Sequence, residues 1–139
     1  MAHLQYFSYA GVGERKHKEM HYNQAVRIGD RIEISGQGGW DIETGIVHSD
    51  LVKQIDQAYA NVDLALRIAG GAGWSEVYRV RIYYTSVSGS EEGFAAMIGN
   101  LKKWCPDHQP ILTGVKVAGL ADPGMEVEIE VAAHVPSEN

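Results

Sequence analysis

Ile111-Leu112-Thr113-Gly114-Val115-Lys116-Val117-Ala118 and Met125-Glu126-Val127-Glu128-Ile129-Glu130-Val131-Ala132-Ala133 are the two most regular runs in this chain of 139 residues. In the second run acidic and apolar residues alternate, the period of a β-strand. Val127, Ile129 and Val131 share one face, and Glu126, Glu128 and Glu130 share the other. Between the runs stands Ala121-Asp122-Pro123-Gly124, strong turn chemistry.

Upstream the period changes. Glu91 to Trp104 reads as a helix burying Phe94, Met97, Ile98 and Leu101, with Ser88 at capping-box spacing from Glu91. Glu76 to Thr85 is rich in β-branched and aromatic residues and reads as a strand. Before it, Leu51, Ile55, Tyr59, Val62, Leu66 and Ala69 form one apolar helical stripe, which Ser49 or Asp50 can cap and Gly70-Gly71 can end. Gly36 to Gly45 is a glycine-rich loop. Gln24–Ile28 and Arg31–Ser35 flank Gly29-Asp30, a two-residue hairpin turn. Leu4 to Ser8 reads as a first strand. The order βββ-α-β-α-ββ predicts one α+β domain over residues 1–139, with two helices on one face of one sheet. The other sheet face is then left to solvent or to a partner.

The formal charge is −6, from 12 Lys and Arg against 18 Asp and Glu. Nucleic-acid affinity is largely electrostatic, so no nucleic-acid partner is expected. Arg15-Lys16-His17-Lys18 and Lys102-Lys103 read as solvated faces. Cys105, the single cysteine, reads as a core residue beside Trp104. No apolar run is long enough to cross a membrane, and Met1 to Met20 has no apolar signal core. The expectation is a soluble cytoplasmic protein. His17 and His21 are four apart, but their segment lacks helix signals, so no metal site is expected.

Several local sequences resemble the RidA (YjgF) family. Ile32-Glu33-Ile34-Ser35-Gly36-Gln37 resembles its strand ending in Ser-Gly-Gln, and Asp41 to Gly45 its Thr-Gly loop. Gln57, Asn61, Val62 and Ala69-Gly70-Gly71 resemble its first helix. Val115 to Leu120 with Val127 to Ala133 resembles its C-terminal hairpin. The resemblance spans about residues 22–134. It implies a chorismate-mutase-like fold: one mixed six-stranded sheet with two helices on one face, assembled as a homotrimer with small-molecule pockets between subunits. It implies hydrolysis of reactive imines or enamines, without metal or organic cofactor. Tyr22, Ser35, Gly36 and Gln37 match the family's pocket wall, and Glu130 matches its water-positioning glutamate. The family's carboxylate-gripping arginine falls on Leu112, beside Thr113 and Gly114. Simple 2-imino acids are therefore expected to be poor substrates, because an apolar side chain cannot hold a carboxylate.

Plainer readings stand beside these. The three glutamates also suit a solvated face. Trp40, at the tip of the glycine-rich loop, is a candidate pocket wall for an unsaturated or aromatic ligand and also suits plain packing. Arg79 and Arg81 suit cross-strand pairing, while either of them, or Lys116, is a candidate to replace the missing grip. A non-catalytic paralogue that binds a small molecule or a partner protein is the alternative function, and the acidic charge disfavours a ribonuclease. Two helices cover only one sheet face, and Val115, Val117, Val127, Ile129 and Val131 leave the sheet too apolar to stand alone in water, which calls for a homotrimer. Light scattering at micromolar concentration is expected to give three times the chain mass, and a monomer mass would overturn the trimer.

Overall fold

The computed structural model describes residues 3–137. Its elements are β1 (Gln5–Phe7), α1 (Val12–Met20), β2 (Ala25–Ile28), β3 (Arg31–Ile34), α2 (Leu51–Ile68), β4 (Val77–Tyr84), α3 (Glu91–Trp104), β5 (Ile111–Lys116) and β6 (Val127–His134). The six strands form one mixed sheet in the order β1-β2-β3-β6-β4-β5. Every neighbouring pair is antiparallel except β4 and β5, which run parallel.

Where a periodic apolar face exists, it decides the element. The stripe from Leu51 becomes α2, capped by the Asp50 side chain, which accepts the Lys53 N–H. Ile55, Tyr59, Val62 and Leu66 are fully buried, and α2 packs over β3 and β6. Gly29, at φ 61°, makes the turn between β2 and β3. Cys105 is buried beneath the Trp74 carbonyl.

Four expectations are corrected. There are three α-helices rather than two. The additional one, α1, has no side-chain cap, and Val12 and Gly13 are its only buried residues. Its start is held by the Val12 N–H donating to the Ile42 carbonyl at 2.7 Å, a tertiary contact with no local signature. His21 sits at its C-cap in a left-handed conformation. Second, β5 and β6 form no hairpin, because β4 lies between them. The run α3–β5 is a crossover that lays β5 parallel to β4, and β6 then enters the gap between β3 and β4. Third, α3 is capped by Ser90 instead of Ser88, and of its expected apolar face Met97 is buried while Phe94 and Ile98 are exposed. Ser88 is instead buried, its hydroxyl donating to the Glu126 carbonyl.

The fourth concerns the sheet faces. Val127, Ile129 and Val131 belong to the core beneath α2, so they do not leave the other face apolar. That open face carries Arg79, Arg81 and Tyr83, with Glu130 opposite Arg81 and Glu128 opposite Tyr83. All six residues of the edge strand β5 are exposed.

The loop after β3 is pressed onto α2. A Cβ built at Gly39 would stand 2.0 Å from the Gln54 carbonyl oxygen, whereas one at Gly99 in α3 meets nothing within 4 Å. Gly39→Ala is expected to lower stability by about 1–3 kcal/mol, the usual cost of overpacking. Gly99→Ala is expected to raise it by about 0.5–1 kcal/mol, the helix-propensity gain. Urea midpoints of the two variants check both signs, and a neutral Gly39→Ala would refute the tight seat of the loop.

Candidate functional site

The site begins where β3 ends. Glu33 pairs with Ala132, and the next pairing is Gln37 with Ile129, so residues 34–36 oppose residues 130–131. This extra residue is a bulge, and it redirects the strand. The Gln37 N–H donates to the Ile129 carbonyl at 2.8 Å, and the Ile129 N–H donates back at 2.9 Å. The exchange presses Gly36 onto Glu128: a Cβ at Gly36 would lie 2.5 Å from Glu128 Oε1 and 2.8 Å from its Cγ. Glycine is needed here for close approach.

Beneath this contact lies a buried polar network. The Tyr9 hydroxyl donates to Gln37 Oε1 at 2.7 Å, and Trp40 Nε1 donates to the Tyr9 oxygen at 3.1 Å. Gln37 Nε2 donates to Gln24 Oε1 at 2.7 Å and to the Ser35 carbonyl at 3.1 Å. The Ser35 hydroxyl donates to the Asn23 carbonyl at 2.7 Å. Burial pushes the Tyr9 phenol well above its ordinary pKa, against a smaller opposing effect of Trp40, so it stays a neutral donor. Ser35 and Gln37 therefore fix the pocket wall from behind.

In front of the wall is a cavity of about 330 Å³, lined by Val12, Lys16, Tyr22, Trp40, Met125 and Glu128 among others. Helix α1 forms one side. Lys16 turns inward from it, with Nζ 3.6 Å from the centre of the Trp40 ring and 3.6 Å from Asp122 Oδ2. Its side chain is 19% exposed, so this member of the basic run is no solvated residue, unlike its neighbours Arg15, His17 and Lys18. Among the described residues no group of three or more His, Cys, Asp or Glu is placed to hold a metal ion.

The three alternating glutamates have three different surroundings. Glu126 accepts from the Thr85 hydroxyl. Glu130 accepts from the Tyr83 hydroxyl and lies 3.6 Å from Arg81 Nη1. Glu128 lines the cavity, and its pKa is raised, first by burial, then by Glu130 and Asp122, against the lowering effect of Lys16.

The expected site residues thus fall into two groups. Tyr22, Gly36 and Trp40 gather around Glu128, backed by Ser35 and Gln37, with Glu130 two residues along β6 on the same open face. Leu112, Thr113 and Gly114 lie on β5, two strands away from β6. Thr113 shares the open face with Arg81, while Leu112 and Gly114 point to the helix side. Leu112 lines a separate cavity of about 540 Å³ with Ile98, Leu101, Cys105 and His108. This larger cavity has no network like that behind Gly36. Of the cations considered as a replacement grip, Arg79 is paired with Glu33 at 3.2 Å and Arg81 with Glu130, and Lys116 shares the face of Leu112. Sequence reasoning did not single out Glu128 or Lys16 for the site; the period of two marked Glu128 and Glu130 alike, and nothing in the basic run distinguished Lys16.

Comparison with known proteins follows the same lines. A family model described as Endoribonuclease L-PSP matches residues 14–135. A RutC family protein of Aquifex aeolicus (strain VF5) is 32% identical over 112 residues, covering 81% of this chain and 86% of that one. A protein of Dermatophagoides farinae named 2-iminobutanoate/2-iminopropanoate deaminase is 30% identical over 110 residues, covering 78% and 81%. A crystal structure of a YjgF/YER057c/UK114 family member from Mycobacterium tuberculosis superposes with a TM-score of 0.76 at 26% identity, covering 95% of this chain and 99% of that one. With the family model matching most of its length, this chain belongs to the Endoribonuclease L-PSP family, the group that also carries the RidA and YjgF names.

Proposed function

We propose that the protein is a small-molecule enzyme that hydrolyses or tautomerises a reactive imine or enamine, with Glu128 as its acid-base group. The observation that carries this reading is the setting of Glu128: half-buried, wedged on Gly36, facing a cavity with Tyr22 and Trp40, and with its pKa raised. A carboxylate raised toward neutrality both accepts and returns a proton. In hydrolysis a water oxygen attacks the iminium carbon while Glu128 accepts a water proton. Glu128 then delivers that proton to the nitrogen, which leaves as ammonia, and the hydroxyl collapses to a carbonyl, giving its proton back to Glu128. Glu130, expected from sequence for this role, shares the open face and is engaged by Tyr83 and Arg81; in this reading it holds the strand and adds negative field at Glu128. Neither a metal nor an organic cofactor is part of the proposal.

The active assembly in this reading is a homotrimer in the cytoplasm. The wholly exposed β5, with Ile111, Leu112 and Val115 open to solvent, supports a neighbouring copy packing there. Such packing would bring the Leu112–Thr113–Gly114 edge of one subunit toward another subunit's Glu128 pocket. Leu112 then stands where related enzymes use an arginine.

Glu128→Gln tests the proton role. Ammonia release from a panel of imines generated in situ is expected to fall by about 10²–10⁴-fold, the usual contribution of a general acid-base group. The fold should survive. A raised carboxyl pKa means the folded state holds the proton more tightly than the unfolded chain, so stability is lost as pH rises from the ordinary carboxylate range through the raised value. Glu128→Gln removes that loss and is expected to be as stable as the parent, or more so, at neutral pH by thermal melting. Full activity in Glu128→Gln would end the proposed role.

Leu112 gives a second test. With 2-imino acids generated by an amino-acid oxidase, the protein is expected to be at least about a hundredfold slower than an arginine-bearing relative, because an unpaired buried ligand charge costs about 2–5 kcal/mol. Equal rates would show that Leu112 does not limit these substrates.

A further inference from the structure

Helix α1 supplies the pocket with a cation that no site assignment so far includes. We propose that Lys16 is a specificity-determining residue that grips the anionic end of an organic anion in the Glu128 cavity. The inference rests on the reading of that cavity as the substrate site.

Three observations carry it. First, Lys16 is held in place: its side chain is 19% exposed, and its ammonium rests on the face of Trp40 at 3.6 Å from the ring centre. Trp40 is itself 2% exposed and held by Tyr9, so the platform does not move with the ligand. A lysine ordinarily gives up much rotamer freedom when it binds, and one already ordered by a cation–π contact gives up less. Second, the ammonium is under-used. Its acidic partner among the described residues is Asp122, at 3.6 Å, and Asp122 is 44% exposed. A charge-assisted hydrogen bond spans about 2.7–2.9 Å. The ammonium of this partly buried side chain thus keeps N–H donors for a ligand in the cavity. Third, the cations considered from the sequence are placed elsewhere: Arg79 and Arg81 are occupied by Glu33 and Glu130, and Lys116 lies on the Leu112 face of β5. Arg15 also lines the cavity, but it is exposed where Lys16 is partly buried.

The chemistry of the two pocket groups is complementary. The ammonium suits a carboxylate or similar anion, and Glu128 suits a water or a protonated nitrogen a few atoms away. A ligand joining both is a small acid carrying an imine, enamine or carbonyl. Its charge is held from α1 and not from β5, so the preferred substrate differs in reach from a simple 2-imino acid. This is how one pocket can lack the arginine at Leu112 and still select an anion.

The test measures binding, so it does not depend on turnover. Tryptophan fluorescence and calorimetry follow titration of the intact protein with 2-oxobutanoate, phenylpyruvate and benzoate, and with the methyl ester of each. The parent is expected to bind at least one carboxylate about tenfold or more tightly than its ester, the size of one charge-assisted hydrogen bond. Lys16→Gln should abolish that preference while leaving ester binding unchanged. Lys16→Arg should keep it, and Lys116→Gln should leave it intact. A preference that survives in Lys16→Gln, or that disappears only in Lys116→Gln, overturns the proposal; so does a parent that binds every ester as tightly as its acid. Thermal melting of Lys16→Gln near the parent value shows that the loss is local. Anion binding through Lys16 with neither ammonia release from any imine nor tautomerisation of it would leave this inference standing and sink the proposed reaction. Ammonia release without a Lys16-dependent preference would do the reverse.

Discussion

The pairing of Gln37 with Ile129 is the constraint on which the site depends. Two backbone hydrogen bonds return the loop after β3 to the central strand β6. The extra residue before that pairing turns Gly36 onto the Glu128 carboxyl. The same glutamine is fully buried, and its amide joins Tyr9, Gln24 and the Ser35 carbonyl. A buried amide left half-satisfied costs about 1–3 kcal/mol per orphaned group, so these partners are strongly coupled in position. Through Tyr9 the network reaches Trp40, and Trp40 is the platform under Lys16. Pocket wall, aromatic floor and inward cation are thus set by one chain of hydrogen bonds that starts at a strand bulge.

Fold elements whose stability is local or periodic were legible in the sequence. The stripe of α2, the glycine turn between β2 and β3 and the alternation in β6 each carry their own physical signature. Helix α1 carries none: it begins at Gly11 at φ 82°, buries little, and exists because Val12 finds the Ile42 carbonyl. The β5–β6 connection misled for a related reason. Ala121-Asp122-Pro123-Gly124 correctly marks a reversal, but turn chemistry does not say which strand the returning chain meets. That choice belonged to the two open edges of β3 and β4, which β6 satisfies together.

The candidate site was legible in part. Ser35-Gly36-Gln37 and Tyr22 could be named because their resemblance to a known family is local in sequence, and Trp40 because an aromatic stands at the tip of a glycine-rich loop. A period of two cannot rank three glutamates on one face, since burial and partners come from neighbouring strands. Likewise Arg15-Lys16-His17-Lys18 is a run of similar residues until a helix gives each its own direction. Only then does Lys16 point inward while its neighbours stay exposed.

The division among the glutamates is the ground for proposing Glu128, rather than either neighbour, as the acid-base group. Glu126 has the Thr85 hydroxyl, and Glu130 has the Tyr83 hydroxyl and the Arg81 guanidinium. Among the described residues Glu128 is offered no such hydrogen bond; its burial against Gly36 and the nearby negative charges disfavour ionisation, and Lys16 alone among its main influences favours it. In the proposed reading, the proton affinity of Glu128 then answers to whatever occupies Lys16. A ligand anion held by the ammonium as proposed would offset the one favourable charge and make the carboxyl a stronger base. The proposed anion grip and the proposed proton transfer would in this way be linked through a single cation held on Trp40.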